Sequence, residues 1–130
     1  MKDNIAVSIL DAKDNEDFIN KLSIIKEKNE NLKIKSGIFD ICIHFDIMDG
    51  KFVPNTGVNI ESISYAKKMG FYIDVHLMVE EPVNEGYIDR AIELGADNIT
   101  IHYEIKNFDR NLNYLFKRKR ILREKEERNL

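Results

Sequence analysis

The stretch His-Phe-Asp-Ile-Met-Asp-Gly-Lys-Phe-Val-Pro-Asn, residues 44–55, decides the fold of this chain. It continues an alternation that begins at residue 41, in which one set of side chains is apolar and the other carries polar groups: Ile41, Ile43, Phe45 and Ile47 against Cys42, His44, Asp46 and Met48. Such alternation predicts a β-strand, because successive side chains of a strand point to opposite faces. A strand with one apolar face, and with polar chemistry near its C-terminal end, is typical of a parallel barrel.

The same design recurs in three other segments. They are residues 7–11, with Ser8 on the polar face, residues 73–78, with Asp74 and His76, and residues 99–104, with Thr100, His102 and Glu104. Tyr103 is predicted to lie on the apolar face of the last of these strands. We therefore predict four strands that each carry their polar groups on one face.

Segments with helical spacing separate the predicted strands. Asp14 or Asn15 is the candidate N-cap of the first helix, Asn59 precedes the second, and Gly70 and Gly95 follow the second and third. A strand–helix order with crossovers of this length predicts parallel neighbours. An antiparallel sheet with one solvent-exposed face would not need these helical crossovers. In a doubly wound sheet, the strands are usually apolar on both faces. Polar residues confined to one face favour a barrel interior.

Taken together, the motifs resemble those of the ribulose-phosphate 3-epimerase family, whose members are TIM-type (β/α)8 barrels. The matching segments are residues 8–10, 44–50, 52–55, 74–79, 81–82, 95–97 and 101–104. The resemblance implies an isomerase of carbohydrate metabolism that interconverts D-ribulose 5-phosphate and D-xylulose 5-phosphate in the pentose phosphate pathway. The expected substrate is thus a phosphorylated ketopentose, with proton removal and return at C3.

The resemblance also implies a metal site. His44, Asp46 and His76 would bind a divalent ion (zinc, iron, cobalt or manganese), because such ions accept mixed imidazole and carboxylate ligands. Asp46 would also be the catalytic acid or base at C3. We expect Asp74 to hydrogen-bond a neighbouring ligand and fix its orientation. His102 is expected to pack near the site without binding metal.

The same comparison implies substrate contacts from Ser8 and His76. Met48 and Met78 would form an apolar wall around the planar intermediate and exclude water from it. Asp49 is expected to shape the Asp-Gly turn without taking part in chemistry.

The length of the chain sets an expectation about completeness. A barrel of this type usually takes about 250 residues, whereas the chain has 130. We expect residues 1–130 to form one truncated domain, a parallel (βα)4 half of the barrel without strands 5–8. The resemblance places a second acid/base and the phosphate contacts in the later strands, so we expect the isolated chain to be nearly inactive. Its open sheet edges would favour a homo-oligomer.

Two other functions stay open from the sequence. The substrate could be a phosphorylated hexulose, since the resemblance assigns part of the substrate site to the later strands. The chain could instead be a non-catalytic metal-binding or assembly remnant.

Composition narrows the class of protein. The net charge is −3 and 33% of the residues are charged, while Cys42 is the single cysteine and excludes an internal disulfide. No apolar run reaches the length of a membrane span and the chain starts with polar residues, so we expect a cytoplasmic protein that binds no membrane. Residues 107–130 predict an amphipathic helix whose basic residues alternate with acidic ones, which favours a solvated surface over nucleic-acid binding.

Overall fold

Four strands alternate with helices in a computed structural model that describes residues 3–36 and 39–128. The elements in chain order are β1 (Asp3–Ser8), α1 (Asn15–Ser36), β2 (Phe39–Met48), a 3-10 turn (Ile60–Ser62) that leads into α2 (Ile63–Lys68), β3 (Tyr72–Met78), α3 (Tyr87–Leu94), β4 (Asn98–Thr100) and α4 (Phe108–Arg128). The predicted order of strands and helices is confirmed. None of the helices in the described part of the chain is long and apolar enough to cross a membrane.

The four strands form one open parallel sheet in the order β1-β2-β3-β4. Each strand pairs with the strands that precede and follow it in sequence, so the order never reverses. A doubly wound sheet would contain a reversal of strand order. The sequential order therefore supports the prediction of a partial TIM-type barrel.

The apolar face of the sheet packs against the helices and forms the core. Phe45, Val75 and Leu77 are completely buried, as are Leu22 of α1 and Ile88 of α3. Burying one such side chain contributes about 1.5–3 kcal/mol. Because the helices cover only this face, the opposite face, with the polar residues, stays accessible.

Local signals fix the ends of the helices as predicted. Asp14, one of the two candidate N-caps, accepts a hydrogen bond at Oδ1 from the backbone N–H of Asp17 (2.8 Å). The side chain of Asn59 accepts one from the N–H of Glu61 in the 3-10 turn. Gly95 has φ +101° just after α3, a left-handed conformation that residues with a Cβ rarely adopt.

The fourth strand is shorter than predicted. Only Asn98–Thr100 pair with β3, and the chain then turns into α4. The prediction for Tyr103 was wrong: its side chain is 79% exposed, and its ring lies against that of Phe108 with centroids 5.0 Å apart. The reason is that strand alternation persists only while the backbone stays in register with a neighbouring strand. Beyond Thr100 the chain leaves β3, and Ile105 takes the buried position.

Candidate metal centre

The parallel register arranges the polar face of the sheet in rows. The rows are Ser8, His44, Asp74 and Asn98, then Asp46, His76 and Thr100, then Met48 and Met78. The sequence predicted the face for each of these side chains except Asn98, and the register adds which of them stand side by side.

Three predicted ligands come together at one carboxylate oxygen. Asp46 Oδ1 lies 3.1 Å from His44 Nε2 and 3.2 Å from His76 Nδ1. One donor atom from each of the three side chains lies within 4.8 Å of the others. The side chains are 15–26% exposed, so they are partly shielded from water but still accessible.

The donor set fits a divalent cation. With zinc bonds of about 2.0–2.2 Å, neighbouring ligands of a tetrahedral site lie roughly 3.3 Å apart, close to the separations around Asp46 Oδ1. Two imidazole nitrogens and a carboxylate oxygen are also donors that borderline ions accept. His44, Asp46 and His76 could therefore hold a metal ion.

Asp74 orients His44 in the way the sequence predicts. Its Oδ2 lies 2.8 Å from His44 Nδ1, and its Oδ1 accepts a hydrogen bond from Asn98 Nδ2 (2.7 Å). Burial lowers the pKa of His44, but the hydrogen bond to Asp74 and the charges of Asp46 and Asp74 outweigh it and raise the pKa above its usual value. His44 therefore binds a proton more readily than a free histidine does. A metal ion bound at Nε2 would displace the proton from that nitrogen.

The second oxygen of Asp46 faces a different neighbour. Ser8 Oγ–H donates to Asp46 Oδ2 at 3.3 Å, so Oδ1 is directed to the histidines and Oδ2 to β1. The structure thus brings Ser8, His44, Asp46 and His76 together. Met48 and Met78 stand opposite each other one row nearer the C-terminal ends of the strands, and both are partly buried.

Asp49 organises the loops beside the site. Its Oδ1 accepts hydrogen bonds from the N–H groups of Lys51 (2.8 Å) and Phe52 (2.9 Å), and its Oδ2 accepts one from Glu80 (2.8 Å). Burial raises the pKa of Asp49, but the three backbone donors outweigh it and lower the pKa below its usual range. The predicted turn role is confirmed, and the contact with Glu80 also ties this turn to the loop that follows β3.

Two residues near the cluster have contacts whose partners the sequence did not identify, although it predicted that His102 packs near the site. A Cβ on Gly57 would lie 2.2 Å from the backbone oxygen of Asp46, which also accepts a hydrogen bond from the N–H of Val58 (3.0 Å). His102 Nε2 lies 2.6 Å from His76 Nε2. The alternation of residues 99–104 placed His102 on the polar face, whereas no local pattern marked Gly57.

Comparison with known proteins identifies the family of the chain. The model of the ribulose-phosphate 3 epimerase family matches residues 4–120. Among curated proteins, the chain is 43% identical over 63 residues to a ribulose-phosphate 3-epimerase of Aquifex aeolicus, a match that covers 48% of this chain and 28% of that protein. It is 39% identical over 79 residues to the enzyme of the same name from Bacillus subtilis, over 58% of this chain and 34% of that protein.

The cytoplasmic isoform of ribulose-phosphate 3-epimerase from Oryza sativa is 41% identical to the chain over 64 residues, which is 48% of this chain and 27% of that protein. The matches thus cover about a third or less of each relative. The family match, by contrast, extends over most of this chain and includes all four strands apart from the first residue of β1. The chain therefore belongs to the ribulose-phosphate 3-epimerase family.

Proposed function

We propose that this chain carries a metal-assisted proton-transfer site for a phosphorylated ketopentose, acting at C3 to interconvert D-ribulose 5-phosphate and D-xylulose 5-phosphate. The observation that carries the proposal is the meeting of His44 Nε2 and His76 Nδ1 at one oxygen of Asp46, with the other oxygen directed away from them. Membership of the family supports the choice of reaction.

The proposed chemistry explains why these residue types are needed. A proton beside a ketone is weakly acidic, so its removal requires stabilisation of the charge that develops on the substrate oxygens. A divalent ion held by His44, Asp46 and His76 would supply this stabilisation as a Lewis acid. Asp46 accepts the C3 proton on its carboxylate, the C–H electron pair moves into the enediolate, and return of a proton to the opposite face inverts C3. Inversion thus requires a second acid on that face.

The neighbouring side chains have supporting roles in this proposal. Ser8 holds Asp46 Oδ2 through its hydroxyl, and in this proposal it also contacts the substrate. Met48 and Met78 would cover the reacting carbon and limit access of water to the enediolate. We further propose zinc, iron, cobalt or manganese as the ion, and the cytoplasm as the location of the protein.

The test is metal-dependent exchange of the C3 proton of either pentulose phosphate with solvent, by the purified chain with and without added Mn²⁺ or Zn²⁺, because exchange at one face needs no second acid. Asp46→Asn should reduce this metal-dependent exchange by about 10²–10⁴-fold, the usual contribution of a general base. Asp11→Asn is the matched control, because the Asp11 side chain is 86% exposed and accepts a hydrogen bond from Lys21 instead of from a residue of the cluster. Equal activity of Asp46→Asn and the wild-type chain would refute the assignment of the base.

The same assay separates the other two functions. Faster proton exchange in a hexulose phosphate than in ribulose 5-phosphate would replace the proposed substrate with the longer sugar. Tight metal binding without any proton chemistry, together with a stable oligomer on a sizing column, would favour an assembly role over catalysis.

A further inference from the structure

The sheet has two open edges within residues 3–36 and 39–128, the part of the chain that the structure describes. There β1 pairs only with β2, and β4 pairs only with β3. Each outer edge therefore presents a row of backbone N–H and C=O groups that can pair with a further strand. Because the sheet is parallel, a strand that continues it brings a helix that covers its apolar face.

Large apolar side chains are exposed beside both edges. Ile24 of α1 is 54% exposed and lines a groove between α1 and the C-terminal end of β1. Phe116 of α4 is 63% exposed and lines a groove between α4 and β4. Single exposed apolar residues are common in proteins, but these two lie in grooves beside unpaired strand edges. Apolar side chains in such positions mark surfaces of association.

An aromatic ring on the polar face of the sheet has the same implication. Tyr72 starts β3 and stands beside Cys42 of β2 in the register, so it shares its face with His44 and Asp46 rather than with the core. Tyr72 is 60% exposed, because the helices cover only the opposite face. A second layer of strands across the polar face would bury this ring.

The surface area of the chain is large enough for a stable contact. A compact monomer of 15.2 kDa exposes roughly 7,100 Å², whereas this chain exposes 8660 Å². The difference of about 1,500 Å² exceeds the roughly 800 Å² that each partner buries in a standard interface. It falls within the range that each subunit of a permanent homodimer buries.

A second copy of this chain fits both edges at once. Rotation by 180° about an axis that runs roughly along the strands places β1 of each copy beside β4 of the other, with all strands parallel. The two joints are then identical by symmetry, and two four-stranded sheets give eight strands. Eight parallel strands close into a barrel whose interior is filled by side chains. A closed barrel leaves no edge open.

We propose that this chain forms a two-fold homodimer in which β1 and β4 of each copy pair with β4 and β1 of the other and close an eight-stranded barrel. Ile24 and Phe116 are then buried in the two joints, where α1 of one copy packs beside α4 of the other. Each strand of such a barrel faces the strand four places away, so β2 and β3 of the partner subunit form the opposite wall of the site on Asp46. This consequence for the site rests on the proposed function, because interconversion needs a second acid on that side of the substrate.

The first test is the mass of the purified full chain, measured by analytical ultracentrifugation at micromolar concentrations. We expect twice the chain mass of 15.2 kDa. A folded monomer would overturn the proposal. A concentration-dependent series of larger oligomers would overturn it as well, since the closed dimer has no free edge.

Substitutions at the joints test which surfaces are used. Phe116→Asp and Ile24→Asp should each raise the dissociation constant of the dimer at least about tenfold, because each places two charges in the joints of every dimer. Lys68→Asp is the matched control, since Lys68 is exposed on α2, which packs against β3 between the two edges, and it should leave the constant unchanged. Circular dichroism checks that each variant is folded. Equal dissociation constants for all three folded variants would contradict the proposed joints.

Cross-linking distinguishes this pairing from other dimers. Cys42, the single cysteine, is first replaced by serine, and Ile24→Cys and Phe116→Cys are then made in separate chains. A bismaleimide can join thiols on neighbouring helices, whose axes lie about 8–10 Å apart. We expect a cross-linked dimer when the two variants are mixed and none from either variant alone. Cross-links between two copies of Phe116→Cys would show that β4 edges pair with each other and would contradict the proposal.

Neither the mass nor the cross-link depends on metal or sugar, so the dimer and the proposed function can fail separately. A dimer that exchanges the C3 proton but does not interconvert the two pentulose phosphates would contradict the completion of the site by the partner subunit.

Discussion

Substitution of Gly57 tests how closely the loop after β2 packs against the backbone of Asp46. A Cβ at this position would lie 2.2 Å from the backbone oxygen of Asp46 and 3.1 Å from Met48 Cγ, whereas Cβ contacts below 3.0 Å are essentially never seen. Gly57→Ala must therefore separate the loop from β2 by at least about 0.8 Å. That shift would stretch the 3.0 Å hydrogen bond from Val58 N–H to the oxygen of Asp46 beyond its normal range.

The loop is expected to move rather than the strand. β2 is hydrogen-bonded to β1 on one side and to β3 on the other, while residues 53–59 lie outside the helices and strands. Overpacking usually lowers the free energy of unfolding by about 1–3 kcal/mol, and this range includes the cost of weakening the hydrogen bond. We expect Gly57→Ala to lower the free energy of unfolding by about 1–3 kcal/mol while the zinc affinity stays within about threefold, because the ligands on β2 and β3 keep their positions.

The assay is urea unfolding of the wild-type chain and the variant, followed by chelator competition for zinc under native conditions. Thr56→Ala is the control, since Thr56 is exposed in the same loop and its change should stay within about 0.5 kcal/mol. A loss below about 0.5 kcal/mol in Gly57→Ala would refute the close approach to Asp46. A fall in zinc affinity of more than about tenfold would refute the reasoning that the loop yields before the strand.

Three further predictions follow from other contacts of the site and core. Asp74→Ala should lower zinc affinity by about 10–100-fold by chelator competition, because His44 loses the carboxylate that orients it, and unchanged affinity would exclude that role. The lowered pKa of Asp49 means that its stabilisation is present above roughly pH 4, the value of the unfolded chain, and is lost as the pH falls through the folded pKa. Asp49→Asn should therefore destabilise the chain at pH 7 more than at acid pH in urea titrations, and an equal effect at both would contradict this. Phe45→Ala should cost about 3–5 kcal/mol in the same titrations, because the ring is completely buried, and a cost below about 1 kcal/mol would show that this core is not formed.

Local patterns predicted most of the sheet and its helices. Alternation from residue 41 onward placed His44 and Asp46 on one face, and Asp14 and Gly95 lie at the ends of helices as their residue types indicate. These features depend on neighbours a few residues away. The local sequence is therefore sufficient to predict which face a strand residue occupies and where these helices begin and end.

Contacts between distant segments could not be predicted in this way. The length of β4 depends on where its pairing with β3 stops, and alternation beyond Thr100 carries no information about that end. The approach of Gly57 to Asp46 joins a loop to the middle of a strand. The alternation predicted the side on which His102 lies, but its contact with His76 depends on the turn that follows the sheet.

The central claim is that Asp46, within a metal-binding cluster, transfers the proton at C3. Solvent exchange tests it most directly, because washing out a proton from one face needs one base and no second acid. The chain would be incubated with ribulose 5-phosphate in D₂O, with and without Mn²⁺ or Zn²⁺, and deuterium at C3 measured by NMR. We predict metal-dependent incorporation that Asp46→Asn reduces by about 10²–10⁴-fold and Asp11→Asn leaves unchanged. Absence of exchange in a folded, metal-loaded chain, or equal exchange in Asp46→Asn, would contradict the account.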